Sequence, residues 1–353
     1  MPFLSDRFHD QQQGGTPALN GLNRTGTFDA AAIAERIGRR VLGQDDIVEE
    51  IRQALVVVQA GFHDRERPLS TLLLVGPTGV GKTEIVRRLA AELRSGPDDF
   101  CRVDMGQLAQ EHYAAALSGA PPGYSGSREG SSVFDRPAIE GSPFIPGIVL
   151  FDEVEKAHPV VLRALLGLLD RGMLALSNGE QRISFRNAFV FLTSNLGSAD
   201  IARRRGSRRQ RVLDAIPGTG GLRRSQDHAT IDAALRDFFD PEFLNRIDRV
   251  LRFNEISRHV AHDVVQLHLN EARELLRRRG VEMECRPGAL EALVDVGFDP
   301  VHGARSLQRA LRRHVLAPTA ELLVAARADA TEQLRVRLEP EAAGRSGVRV
   351  RSV

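Results

Sequence analysis

Gly76-Pro77-Thr78-Gly79-Val80-Gly81-Lys82-Thr83 decides the fold of this chain. The glycines let the backbone wrap tightly, so that successive N–H groups can point inward at the oxygens of a phosphate. Thr71 to Val75, just before the loop, reads as a short buried strand, and Ile85 to Leu93, just after it, as an amphipathic helix. A loop in that position sets the phosphate at a helix N-terminus, where the helix dipole adds positive charge. In such a P-loop Lys82 reaches the β- and γ-phosphates of a nucleotide and Thr83 ligates Mg²⁺.

The second half of a nucleotide site stands downstream. Ile148-Val149-Leu150-Phe151 reads as a strand covered on both faces, and Asp152-Glu153 emerge at its end. Open α/β sheets place ligands at the carboxyl ends of their strands. Asp152 is expected to hold Mg²⁺ through its water shell, and Glu153 to polarise the attacking water as a general base. An acid in that second position favours hydrolysis over phosphoryl transfer to a small acceptor. Thr193-Ser194-Asn195 closes another apolar strand, from Ala188, and Asn195 is placed to orient the same water.

Strands alternating with helices imply an α/β fold with a mainly parallel sheet. Helices are expected from about Asp29 to Arg40 and Asp45 to Ala60, a strand over Cys101 to Met105, and a helix opening at His158-Pro159. Leu174 to Phe185 reads as a hairpin turning at Asn178-Gly179. After about Asn254 helical stretches dominate (Val260 to Arg278, Pro287 to Val296, Ala304 to Val315, Pro318 to Ala326), followed by a strand over Leu334 to Leu338. The expected organisation is a flexible tail over 1–26, an ATPase domain over 27–254, a small C-terminal domain over 255–340 and a tail over 341–353. Within it, 200–228 reads as an irregular insertion holding six arginines between Arg203 and Arg211.

Bulk properties exclude several classes. No run of apolar residues is long enough to span a bilayer, and no basic-then-apolar leader opens the chain. Cys101 and Cys285 match no metal spacing, which suits a reducing, cytoplasmic location. A formal charge of +2 does not call for nucleic acid. One oddity stands out: of 48 basic residues only Lys82 and Lys156 are lysines. A chain so biased to arginine keeps a lysine where a compact point charge serves better than a planar fork.

Taken together, the motifs resemble the Clp-type AAA+ ATPases, specifically the second ATPase domain of their ring-forming unfoldases, from about Val41 to Leu338. Val41-Leu42-Gly43-Gln44 is similar to the family's adenine-contacting segment, so Val41 and Leu42 join the nucleotide-binding residues. Gly119-Ala120-Pro121-Pro122-Gly123-Tyr124 resembles the pore loop that grips substrate, with Tyr124 as its paddle. Pro241-Glu242-Phe243-Leu244-Asn245-Arg246-Ile247-Asp248 resembles the arginine-finger box, which implies that Arg246 acts on a neighbour's ATP. Gly303-Ala304-Arg305-Ser306-Leu307 resembles the second sensor, with Arg305 reaching the γ-phosphate from the small domain. There are departures: Ser125 follows the tyrosine where an aliphatic residue is usual, and Gly130-Ser131 replaces a glycine pair.

The resemblance implies an AAA+ P-loop domain with helices on both faces of a parallel sheet, followed by a smaller, mainly helical lid. It implies ATP and Mg²⁺, a homohexamer and a polypeptide client. Peptidase docking is not expected, because Gly220-Gly221-Leu222 matches the docking tripeptide only in part. The alternatives are an AAA+ machine acting on nucleic acid through the Arg203–Arg211 run, or a nucleotide-gated scaffold. That run lacks the interleaved aromatics that stack on bases.

Overall fold

The computed structural model describes residues 28–109, 134–142, 144–175, 182–206, 220–299, 302–328, 334–341 and 347–352. Tyr124 and its loop, the Asn178-Gly179 turn and the expected tail over 1–26 lie outside the described residues.

The strands are β1 (Ser70–Val75), β2 (Cys101–Asp104), β3 (Gly147–Asp152), β4 (Met173–Ala175), β5 (Arg182–Ser184), β6 (Ala188–Ser194), β7 (Arg249–Arg252), β8 (Val281–Cys285), β9 (Leu334–Pro340) and β10 (Val348–Ser352). Five of them form a parallel sheet in the order β2-β3-β6-β1-β7. Successive side chains of a strand leave on opposite faces. Leu73 and Val75 of β1 therefore join one core with Val149, Phe151, Val190 and Leu192, while Leu72 and Leu74 join another with Ile148, Leu150, Phe189 and Phe191. Each side chain so buried contributes roughly 1.5–3 kcal/mol. That accounts for the unbroken apolar runs of β1, β3 and β6, since a sheet covered on both faces has no wet side.

Helix boundaries follow their capping chemistry. Asp29 accepts from the N–H groups of Ala31 and Ala32 at the start of Ala30–Gly38. His158 caps the helix Pro159–Arg171, whose first residue is the proline. Ser257 opens Arg258–Arg277 by accepting from Val260 N–H. The helix Lys82–Leu93 starts directly after Gly81, which is left-handed at φ 107°.

From Ile256 onward a separate core gathers Val265, Leu269, Leu293, Leu307 and Val315 from the helices with Leu338 and Val348 from the strands. Two sequence expectations are corrected here, and one strand is added. Residues 341–353 are not all tail: β10 pairs antiparallel with β9, and Val348 is buried in the small core. A further strand, β8, pairs parallel with β9 and makes a three-stranded sheet in the order β10-β9-β8. Both strands alternate apolar with charged residues in runs of five, too short to separate by pattern from a polar tail. Nor is 200–228 irregular throughout, because helices Ser198–Gly206 and Gly220–Phe238 occupy much of it and pack together.

Deleting residues 347–353 is expected to cost about 2 kcal/mol or more, through the lost burial of Val348 and the lost pairing to β9. A thermal melt checks this; a true tail would leave the midpoint unchanged.

Candidate functional site

The P-loop follows β1 and runs into the helix Lys82–Leu93 at the carboxyl end of the sheet. The carboxyl ends of β3 and β6 flank it and supply Asp152, Glu153 and Asn195. Parallel order alone thus brings together residues far apart in the chain.

Lys82 is the centre of this arrangement. Its side chain is buried, and its Nζ donates to the carbonyl oxygens of Gly76 and Pro77 and to Asn195 Oδ1, the last at 2.8 Å. Burial pushes its pKa down to about 8, against the opposing fields of Glu155, Asp152 and Glu153; Arg305 adds to the depression. Thr83 follows on the first turn, half-buried.

Thr193 ties the two acids together. Its hydroxyl donates to Asp152 Oδ1 and accepts from Glu153 N–H at 2.9 Å. Asp152 Oδ2 accepts from Arg102 of β2. Glu153 sits at φ 61°, the one non-glycine with positive φ among the described residues. Backbone strain of about 1–3 kcal/mol of this kind persists where surrounding contacts over-determine the conformation. Glu153 Oε1 accepts from Asn195 Nδ2 at 3.2 Å and Oε2 from Lys156 Nζ at 2.5 Å. Asn195 N–H donates to Glu155 Oε1 at 3.0 Å, while Glu155 Oε2 is buried without a partner.

The small domain closes the site. Ala304 N–H donates to Gly79 O at 2.9 Å, and a Cβ on Gly79 would lie 2.1 Å from His302 O. A Cβ on Gly303 would lie 2.7 Å from Gly79 O, so glycine is required on both sides of this contact. Arg305, two residues on, is close enough to act on the charge of Lys82. Val41 is buried, with a methyl 3.5 Å from where a Cβ on Gly81 would be. Leu42 packs on the small core, and Gln44 binds both backbone groups of Asn254, at 2.9 and 3.0 Å. The segment Val41 to Gln44 therefore joins the P-loop to both domains.

Arg246 is not brought to this site. Asp248 N–H donates to Thr71 O near the start of β1, so Arg246 lies at the amino end of the sheet. Five residues of β1 separate that level from Gly76, roughly 16 Å at the usual strand rise. Its guanidinium pairs with Asp170 at 3.1 Å. Sequence reading singled out no role for Glu155, Thr193, Lys156 or Arg102. Thr193 lies within a quoted motif and Glu155 and Lys156 directly follow another, but only cross-strand contact shows what they touch.

A buried cation among carboxylates, a glycine-rich loop between a strand and a helix, and an acid at a strand tip define a P-loop ATPase. Residues 67–250 match the family described as AAA domain (Cdc48 subfamily), and 256–336 the C-terminal, D2-small domain of ClpB protein. An "ATP-dependent protease ATP-binding subunit-like protein" of Rhodococcus erythropolis is 47% identical over 337 residues, 95% of each chain. A relative of the same description, AmiB of Pseudomonas aeruginosa, is 43% identical over 345 residues, 92% of this chain and 93% of its own. A solved closed state of Hsp104 with ATPγS and FITC casein superimposes with a TM-score of 0.71 at 28% identity. It covers 92% of this chain, which spans about half (51%) of that one. The chain belongs to the ClpB/Hsp104-like branch of the AAA+ ATPases, which hydrolyse ATP and remodel proteins.

Lys82 generates a pH prediction. With its pKa near 8, the amine loses its proton as pH rises past that point. A phosphate beside it would favour the charged form and raise the pKa in the complex. Nucleotide binding above pH about 8 should therefore take up protons, and affinity should fall as pH rises. Calorimetry in two buffers of different ionisation enthalpy checks this. Absence of uptake would mean either that Lys82 is already fully charged in the free protein or that it does not face the phosphates.

Proposed function

We propose that this chain is an ATP-driven remodeller of polypeptides that works as a homohexameric ring and draws its client through the central pore. The observation that carries the reading is the place of Arg246. A family arginine finger at the end of the sheet remote from its own P-loop would serve the ATP of another subunit, and subunits that complete each other's sites meet head to tail, an interface that forms a ring when its rotation closes.

Within one subunit the chemistry divides as follows. Gly76 to Gly81 cradle the phosphates with backbone N–H groups, and Lys82 exchanges neutral carbonyl acceptors for phosphate oxygens. Val41 and Leu42 border the adenine. Thr83 and Asp152 are hard oxygen donors, which suits Mg²⁺, and would hold it. When bound, the ion neutralises charge on the β- and γ-phosphates. Glu153, steadied by Asn195, takes a proton from water as its oxygen attacks the γ-phosphorus and ADP leaves. Arg246 of the neighbouring copy and Arg305 of the lid stabilise the charge on the transferring group, an effect worth roughly 10³–10⁵ in rate for such arginines.

The client reading rests on the family and on Tyr124, whose aromatic face could grip an extended chain largely without regard to sequence. Nucleic acid is less well supported. Two arginines of the run are already paired, Arg203 with Asp200 and Arg204 with Asp227.

Two experiments test this. Arg246→Ala subunits and Lys82→Ala subunits should each be inactive, yet mixed rings should regain hydrolysis where an intact pocket meets an intact finger. No recovery in rings shown to be mixed would exclude action between subunits. Tyr124→Ala should retain basal hydrolysis but lose client unfolding and client-stimulated hydrolysis, while Tyr124→Phe keeps most activity. The client is found by capture on the Glu153→Gln form. Processing of it at the wild-type rate by Tyr124→Ala would rule out threading.

A further inference from the structure

The two lysines of this arginine-rich chain meet in one hydrogen-bonded series. Lys82 Nζ donates to Asn195 Oδ1 at 2.8 Å, and Asn195 Nδ2 to Glu153 Oε1 at 3.2 Å. The other carboxylate oxygen, Oε2, takes Lys156 Nζ at 2.5 Å. The role given to Lys82 accounts for one lysine and leaves the other unexplained.

Stability is a poor reason for the second. Lys156 is 55% exposed and Glu153 33%, and pairs so open to solvent contribute little to folding. Location is a better one. Glu153 begins the short turn Val154–Lys156, its backbone is left-handed, and its N–H is held by Thr193. The backbone is thereby set, and the side chain needs a second constraint to aim its carboxylate. Lys156 supplies it from three residues on, where its N–H also donates to Glu153 O at 2.9 Å. Its stem passes Gly106, where a Cβ would meet Lys156 Cδ at 3.6 Å, and the turn Met105–Leu108 packs on Val154–Lys156. The bond to Glu153, with the fields of Glu155 and Asp104, raises the pKa of Lys156 and keeps the ammonium charged.

We propose that Lys156 is a positioning residue for ATP hydrolysis: it clamps one oxygen of the Glu153 carboxylate, so that the other, steadied by Asn195, faces the attacking water. This rests on Glu153 being the general base. The choice of lysine over arginine follows from geometry. An ammonium is a point donor that can hold one oxygen. A guanidinium fork pairs with both oxygens of a carboxylate at once. It would displace the Asn195 amide from Oε1 and occupy lone pairs that must receive the proton. Of about four acceptor sites on a carboxylate, the present arrangement uses two and leaves one on each oxygen.

The test compares Lys156→Met, Lys156→Arg and Glu153→Gln in the assembled protein, by steady-state ATP hydrolysis and by binding of a fluorescent ATP analogue. Lys156→Met keeps the stem and removes the charge. It should lower kcat by about tenfold or more, part of the roughly 10²–10⁴ that a placed general base supplies, with KM and analogue affinity unchanged. Lys156→Arg should fail to restore kcat although it keeps the charge. In the Glu153→Gln background Lys156→Met should add no further loss, because the residue acts only through that carboxylate. Wild-type or faster turnover in Lys156→Met, full turnover in Lys156→Arg, or loss of analogue binding in either would overturn the proposal. Wild-type turnover in Glu153→Gln would instead overturn the general-base reading on which it stands.

Discussion

Burial of the Lys82 ammonium is the constraint around which the structure is organised. A charge taken out of water must be met by acceptors and counter-charges, or its proton leaves. Here the P-loop carbonyls and Asn195 accept its hydrogen bonds, and Glu155, Asp152 and Glu153 oppose the depression of its pKa. Three strands must end at one level for those groups to converge, which parallel pairing of β3, β6 and β1 provides. The site is thus poised for an anion: a phosphate offers this cation a better partner than neutral carbonyls.

The same sheet holds two sets of groups apart. Its carboxyl end carries the phosphate loop and the acids; its amino end carries Arg246, held by Asp170 and by a hydrogen bond from Arg67 to its carbonyl oxygen. A rigid strand is a good spacer, since it cannot fold the two ends together. The small domain is coupled differently. It meets the P-loop backbone to backbone at Gly79 and Gly303, a contact too close for any side chain. Arg305 follows immediately, so a shift of this domain changes the charge near Lys82. That places a charge of the small domain within electrostatic reach of the P-loop lysine.

Much of this was legible in the chain. The apolar runs of β1, β3 and β6 and the glycines of the loop carry their structure locally, because a doubly covered strand and a phosphate-wrapping turn each demand particular residues. So do Asp29 and His158-Pro159, whose side chains or rings satisfy helix ends only a few residues away. Strands β8 and β10 were not legible. Their charged faces look like solvated chain, and only pairing with β9 makes Val281 and Val348 core residues. The stretch around 200–228 misled in the same way, since its arginines hide a helix pair closed by Arg204 and Asp227.

The sequence alone determined the ATPase class and the strand–loop–helix setting of Lys82, because each depends on contacts within a short span. Tertiary structure decided what those residues do to one another. The Thr193 hydroxyl bridges Glu153 and Asp152 across 40 and 41 positions, and Asn195 and Glu153 together link two lysines 74 residues apart (82 and 156). Such pairings depend on which strands lie side by side and at what register. That is set by how the whole chain buries its apolar faces, and no local pattern encodes it.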